Sequence, residues 1–280
     1  MERRVLGRTG LAVPGIGFGC GPTAGLIVRG APPEREAAVA RALALGIDYF
    51  DTAPVYGDTA SEAHLGETLR ALGAKPIVAT KVALEAEHFG DIRGATIRSV
   101  EASVGRLGVP ITLIQLHNRV GPLRAAKAEY GSGALLTVDD VLGPGGVVEA
   151  FQALRERGLV RFSGCSGYGG EPASVARLID SGAFDTIIVN YSMNNRSAWL
   201  PGSVARDYGG VGKRAAASGM GVIGLRVLEG GVLAEKAREA VRFALSNRDL
   251  ATVLIGFSDL AQIEAAATYA AGEKILGSVR

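Results

Sequence analysis

The 280 residues carry 30 Lys+Arg against 28 Asp+Glu, a net charge of +2 with no basic run longer than Arg3-Arg4, which excludes a surface built to neutralise nucleic-acid phosphates. At 48% hydrophobic and 21% charged the composition is that of a well-cored chain, and no stretch approaches the roughly 18 uninterrupted apolar residues of a membrane span. Length alone would allow two domains, but α/β barrels commonly use about 250 residues as one unit, so a single domain over residues 1–280 is expected.

The N-terminal text MERRVLGRTGL has charges but no apolar core of signal-peptide length. Cys20 and Cys165 form neither a metal-ligand spacing nor a disulfide framework, which points to a reducing cytoplasm. The 40 glycines are about twice the usual share and fall mostly between apolar runs, where a chain with many turns wants them.

In chain order, Glu2–Val13 reads as a hairpin. Eight short apolar runs follow: Ile16–Cys20, Ile47–Asp51, Ile77–Lys81, Leu113–His117, Phe162–Ser166, Thr186–Asn190, Gly221–Arg226 and Val253–Gly256. Each is four to six residues long, apolar on both faces and often β-branched, which suits buried parallel strands. Helical patterns lie between them. Pro33 fits the first turn of a helix running to Leu45 with Gly46 as its stop, and Ile97, Val100, Val104 and Leu107 share one helix face. Ser258 or Asp259 caps the last major helix, with Gln262 placed for an approximate capping box. Eight strand–helix units with short connections predict a closed (β/α)8 TIM barrel of the α/β class, ahead of an open doubly wound sheet. Two longer segments, His117–Val148 and Asn190–Val211, follow strands and would overhang the mouth.

Polar residues end three successive strands: Asp51 the second, Lys81 the third and His117 the fourth. Tyr56 follows Asp51 in Asp-Thr-Ala-Pro-Val-Tyr-Gly, where Pro54 and Gly57 make a turn able to fold the phenol back over the strand ends. In a parallel barrel these positions converge. A phenol is too weak an acid for neutral-pH catalysis by itself; a neighbouring ammonium favours its ionised form, and a carboxylate holds that ammonium charged. An imidazole then orients a carbonyl or relays a proton. Taken singly, Asp51 could only cap a turn, Lys81 could be its ion-pair partner and His117 a structural histidine; four together in order outweigh those readings.

The text GIDYFDTAPVYG, VATKV and LIQLHN resembles the aldo-keto reductases, whose Asp/Tyr/Lys/His tetrad matches Asp51, Tyr56, Lys81 and His117; the likeness runs from RVLGRTGLAVPGIGFG to LIGFSDLAQIEAA. The resemblance implies NAD(P)-dependent interconversion of a carbonyl and an alcohol, with a small aldehyde, ketone or sugar as substrate. It places Ser166 at the usual serine, but Gly167 stands where asparagine is usual, Ile188 where glutamine is, and Leu225 where an aromatic is. Asn190, on the strand face of Ile188, could restore an amide contact. Arg226, Val227 and Leu228 replace the usual Ser-Pro-Leu, with Arg226 either clamping an anion or forming a surface ion pair. The resemblance also puts Ser258 and Gln262 near the adenosine end, next to a helix N-terminus that favours an anion. Gly19, Cys20 and Gly21 end the first strand and either permit close backbone approach to the cofactor or make a tight turn.

No Lys or Arg occurs from Gly256 to Ala271, so a 2′-phosphate would need a cation from another loop, such as Arg206, Lys213 or Lys236, and NAD against NADP stays open. The run Gly209–Arg214 lacks the residues of a phosphate loop, and His64, His88 and His117 have no zinc spacing, so no metal is expected. Tyr130, Trp199, Tyr208 and Asn118 are expected to line the mouth, and the short tail Gly272–Arg280 to leave it open. The resulting expectation is a monomeric or weakly associating cytoplasmic oxidoreductase with no nucleic-acid or membrane partner. The alternatives are a catalytically slow NAD(P)-binding regulatory barrel, motivated by the altered nicotinamide residues, and a metal-dependent barrel enzyme, which would lose activity to a chelator.

Overall fold

The computed structural model describes residues 1–129, 131–202 and 206–271. Two short antiparallel strands open the chain, β1 (Arg3–Val5) and β2 (Ala12–Pro14), linked through a 3-10 turn at Gly7–Thr9. Eight parallel strands follow: β3 (Ile16–Gly19), β4 (Tyr49–Asp51), β5 (Ile77–Val82), β6 (Ile111–Leu116), β7 (Val160–Ser166), β8 (Thr186–Asn190), β9 (Gly221–Leu225) and β10 (Leu250–Gly256). They pair in sequence order, and β10 returns to β3 to close the barrel. The open-sheet alternative is thereby excluded, and the predicted TIM barrel with an N-terminal hairpin is the fold.

The hairpin closes the bottom of the barrel. Leu6 is fully buried, and a Cβ on Gly221 would lie 2.7 Å from its side chain. Gly7 has φ +48° and meets the backbone of Gly221 so closely that a Cβ there would sit 2.1 Å from the Gly221 nitrogen. Glycine is required on both counts.

Strand limits differ from the sequence reading in ways the backbone explains. Ile47 is buried, but β4 begins at Tyr49; the Ile47 N–H is still held by the Ala42 carbonyl of the preceding helix turn. Arg226 leaves β9 because its φ is +58°, incompatible with a strand. His117 lies one residue past β6, yet its N–H still donates to the Val82 carbonyl at 2.8 Å, continuing the ladder. The helix predicted from Pro33 to Leu45 spans Pro32–Ala44, with Pro32 in the first turn. Among the described residues no helix is long and apolar enough to cross a membrane.

Candidate active site

Alternation along the strands sends Asp51, Lys81 and Gln115 into the barrel at its C-terminal end. Asp51 and Lys81 are each 2% exposed, and their side chains pair directly through Asp51 Oδ1. The Lys81 ammonium also donates to the Thr52 carbonyl at 2.7 Å, while Gln115 Nε2 donates to Asp51 Oδ2 at 2.9 Å. Both carboxylate oxygens and the lysine are thus fixed by protein groups, which offsets the cost of burying the pair. Gln115 was missed by the sequence reading. Its signal was a lone amide in the apolar run ITLIQLH, two residues before His117 and so on the same strand face.

Tyr56 reaches this pair from the loop after β4. Its N–H bonds the Ala53 carbonyl, and the chain then turns through three consecutive left-handed residues, Gly57, Asp58 and Thr59, into the helix Ala60–Ala71. Asp58 and Thr59 are non-glycine residues at positive φ, a strained arrangement of the kind kept at positioned sites. The Lys81 ammonium lies 4.8 Å from the Tyr56 ring centroid, and the His117 ring meets Tyr56 edge-on at 5.9 Å. The four predicted residues are together.

Burial pushes the Tyr56 phenol up to about 12, and the Lys81 ammonium pulls against that rise. For Lys81, burial favours the neutral amine, but the Asp51 carboxylate and Tyr56 outweigh it and the net shift is upward, so the lysine stays charged. His117 is held neutral: burial, then the positive charges of Lys81 and Arg119, push it well below its ordinary value. Its Nδ1 is buried without a partner. The site therefore presents a proton-bearing phenol beside a fixed cation and a neutral imidazole.

Asp51, Tyr56 and His117 line a cavity of about 880 Å³. Gly19 and Gly21 line it beside Tyr56, and Asn190 lines it from the end of β8. Arg226, Val227, Leu228, Ser258 and Gln262 line its far end. A nicotinamide dinucleotide fits these residues. Asn190 donates through Nδ2 to the Tyr208 hydroxyl at 2.7 Å, and its buried Oδ1 has no partner, an acceptor suited to a carboxamide N–H. Arg226 is exposed and forms no ion pair among the described residues, so its surface-pair alternative is not seen there.

Two predicted residues do not reach the cavity. All of Cys20 is engaged within the wall: its N–H donates to the Asp51 carbonyl, its carbonyl accepts from Ser61 Oγ, and its thiol, raised by burial, lies 3.8 Å from the Phe18 carbonyl. The Ser166 hydroxyl donates to the Leu116 carbonyl at 2.9 Å and lies behind the lining. At the helix Leu260–Ala271 the chain uses part of its own anion site. Asp259 Oδ1 accepts from the Gln262 N–H, and the Ser258 N–H donates to Gln262 Oε1.

Gly167 has a packing reason. A Cβ there would lie 2.6 Å from Ile187 Cδ1 and 3.0 Å from Val189 Cγ1, so the volume of an asparagine is filled from β8.

Of the expected mouth residues, Tyr208 lines the cavity, while Tyr130 and the tail Gly272–Arg280 lie outside the described residues. Asn118 does not line it. Fully buried, Asn118 accepts from the Leu84 N–H and donates to the Leu84 and Ala134 carbonyls, tying the loop after β6 to the end of β5. Trp199 packs edge-on against Tyr191 and donates to Asp249, away from the cavity. Arg206 lines the cavity, whereas Lys213 and Lys236 do not. Arg29, distant in sequence, lines an adjoining depression with Ser258 and Asp259.

Comparison with known proteins agrees with this geometry. L-galactose dehydrogenase of Arabidopsis thaliana is 28% identical over 94% of this chain and 86% of its own length. A solved aldo-keto reductase from Pseudomonas aeruginosa, 26% identical, superposes with a TM-score of 0.72 over 96% of this chain and 94% of that one. An aldo-keto reductase from Klebsiella pneumoniae, solved in complex with NADPH, shares the fold at 17% identity, with a TM-score of 0.70 over 99% of this chain and 93% of that one. The profile of the Aldo/keto reductase family matches residues 15–240, from the first barrel strand into the helix before the last. The chain belongs to the aldo/keto reductase family, and is an NAD(P)H-dependent oxidoreductase of carbonyl and alcohol substrates.

Proposed function

We propose that Tyr56 is the proton donor of a carbonyl reduction carried out at the cavity mouth, run in reverse when an alcohol or lactol is oxidised. The observation that carries this reading is the convergence of Tyr56, Asp51 and His117 on one cavity, with Lys81 held against both Asp51 and the Tyr56 ring. The bound nicotinamide supplies or accepts the hydride. Tyr56 hands its proton to the substrate oxygen as negative charge develops there. Lys81 stabilises the phenolate left behind, so the rise caused by burial does not stop the transfer. Asp51, held by Gln115, keeps Lys81 in register. His117, neutral and packed edge-to-face with Tyr56, orients the carbonyl oxygen without competing as an acid.

Asn190 would hold the carboxamide of the nicotinamide through Oδ1, taking the place of the family's usual amides. Arg226 would meet the pyrophosphate. Arg29, its guanidinium tied to the Pro22 and Ala24 carbonyls, lines the same depression as Ser258 and is a cation the local sequence lacks, which supports NADPH over NADH.

The test is a fluorescence titration with NADPH and NADH followed by single-turnover oxidation against a panel of aldehydes, ketones and aldoses. Tighter NADPH binding and oxidation of the bound cofactor by at least one carbonyl are expected. Binding without oxidation by any of them would reject catalysis in favour of a cofactor-binding regulator.

A further inference from the structure

We propose that Arg119 is an anion receptor in the substrate half of the cavity, and that the preferred substrates carry a carboxylate or phosphate beside the carbonyl they present to Tyr56. The inference rests on the reading of Tyr56 and His117 as the reaction centre and extends it to substrate class.

Arg119 is 2% exposed and lines the cavity one residue beyond Asn118. Its guanidinium stacks on the Tyr168 ring, 3.9 Å from the centroid, and Nη1 donates to the His117 carbonyl at 2.5 Å. Among the described residues no carboxylate pairs with it. The other buried ions among the described residues are matched: Lys81 by Asp51, Glu62 by Arg106, Arg35 by Glu67 and Asp140 by Arg124. Arg119 Nε is buried with no hydrogen-bond partner. A buried cation without a counter-ion is unfavourable unless something supplies the missing charge.

The Nε–Nη2 side of the guanidinium is packed against glycine backbone, which closes that edge and leaves Nη2, with no hydrogen bond among the described residues, to meet an anion. Gly169, at φ +73°, stands where a Cβ would lie 2.6 Å from Nε, and Gly131, at φ +92°, where a Cβ would lie 2.1 Å from Nη2. Any larger residue at either position would collide with the guanidinium. A carboxylate or phosphate oxygen would accept a charge-assisted hydrogen bond from Nη2. The tie from Nη1 to the His117 carbonyl fixes the guanidinium relative to the imidazole, so an anion held by Nη2 places the rest of a short substrate at the reacting end of the cavity. Arg119 could instead be only a brace for His117 and Tyr168, but a brace would not discriminate between charged and neutral substrates.

The experiment compares kcat/KM within matched pairs: succinic semialdehyde against butanal for the carboxylate, and glyceraldehyde 3-phosphate against glyceraldehyde for the phosphate. In the unaltered protein one anionic member is expected to exceed its neutral partner by about 10- to 100-fold, the range of a charge-assisted hydrogen-bond pair. The pair showing the larger ratio identifies the anion. In Arg119→Met that ratio falls to near one, and Arg119→Lys keeps part of it. Calorimetric titration with succinate and with inorganic phosphate reads the receptor without turnover, so the receptor is still read if no carbonyl is reduced and the catalytic assignment fails. Should Arg119→Met not fold, the unaltered protein and Arg119→Lys decide. Ratios near one in the unaltered protein without binding of either anion, or an equal loss for both members of each pair in Arg119→Met, would overturn the proposal.

Discussion

Replacing Asn118 by leucine keeps most of its volume and removes three hydrogen bonds at one stroke. Its Oδ1 takes the Leu84 N–H at 2.8 Å, and its Nδ2 serves the Leu84 carbonyl at 2.7 Å and the Ala134 carbonyl at 2.9 Å. All are buried, so water does not replace them. A lost bond of this kind costs about 1 kcal/mol net, and a stranded buried donor more. Two carbonyls and one N–H left behind give a loss of about 3 kcal/mol, partly relieved if the loop detaches. For a chain of this length that corresponds to a fall of roughly 6–12 °C in Tm. Urea unfolding with the slope held constant measures it directly. The loop so tied carries Arg119, Gly131 and Ser132 to the cavity, so kcat/KM should fall with stability. A stability change below about 0.5 kcal/mol, the noise of an ordinary surface substitution, with KM alone altered, would show that the side chain faces substrate and that the clamp is wrong.

The acid–base centre sets the pH dependence. With Tyr56 raised to about 12, its protonated form prevails at neutral pH, so reduction should be flat from about pH 6 to 9 and fall only as the phenol ionises; oxidation needs the phenolate and should rise about tenfold per pH unit over that range. His117, already neutral, adds no inflection near its ordinary 6.5. An inflection there in reduction kcat/KM that His117→Gln abolishes would contradict the assignment. Restoring the family's asparagine as Gly167→Asn should destabilise by about 1–3 kcal/mol through collision with Ile187, and Ile187→Ala should recover part of that loss in the double variant; additive losses would refute the packing reason.

Much of this site was legible because polar residues interrupt apolar runs at strand ends. Asp51, Lys81 and His117 each stand out against their strands, and the proline and glycine around Tyr56 mark a turn. Asn118 was misread because a polar residue after a strand looks the same whether it faces substrate or braces a loop. Its partners at Leu84 and Ala134 are 34 and 16 residues away, beyond any local pattern. Ser166 was placed by resemblance and Cys20 by its position at the end of the first barrel strand, and the hydrogen bonds that hold them in the wall depend on register across the barrel. Arg119 carried no local signal, since its unmatched charge is defined by which acids fail to reach it. Arg29 and Ser258 come to line one depression only when β10 closes on β3.

The account stands on Tyr56 as the proton donor. Single-turnover oxidation of bound NADPH by an accepted aldehyde should slow by at least about 1,000-fold in Tyr56→Phe, within the range expected when a general acid is lost, with NADPH affinity changed less than threefold. Hydride transfer at the unaltered rate in that variant would contradict it.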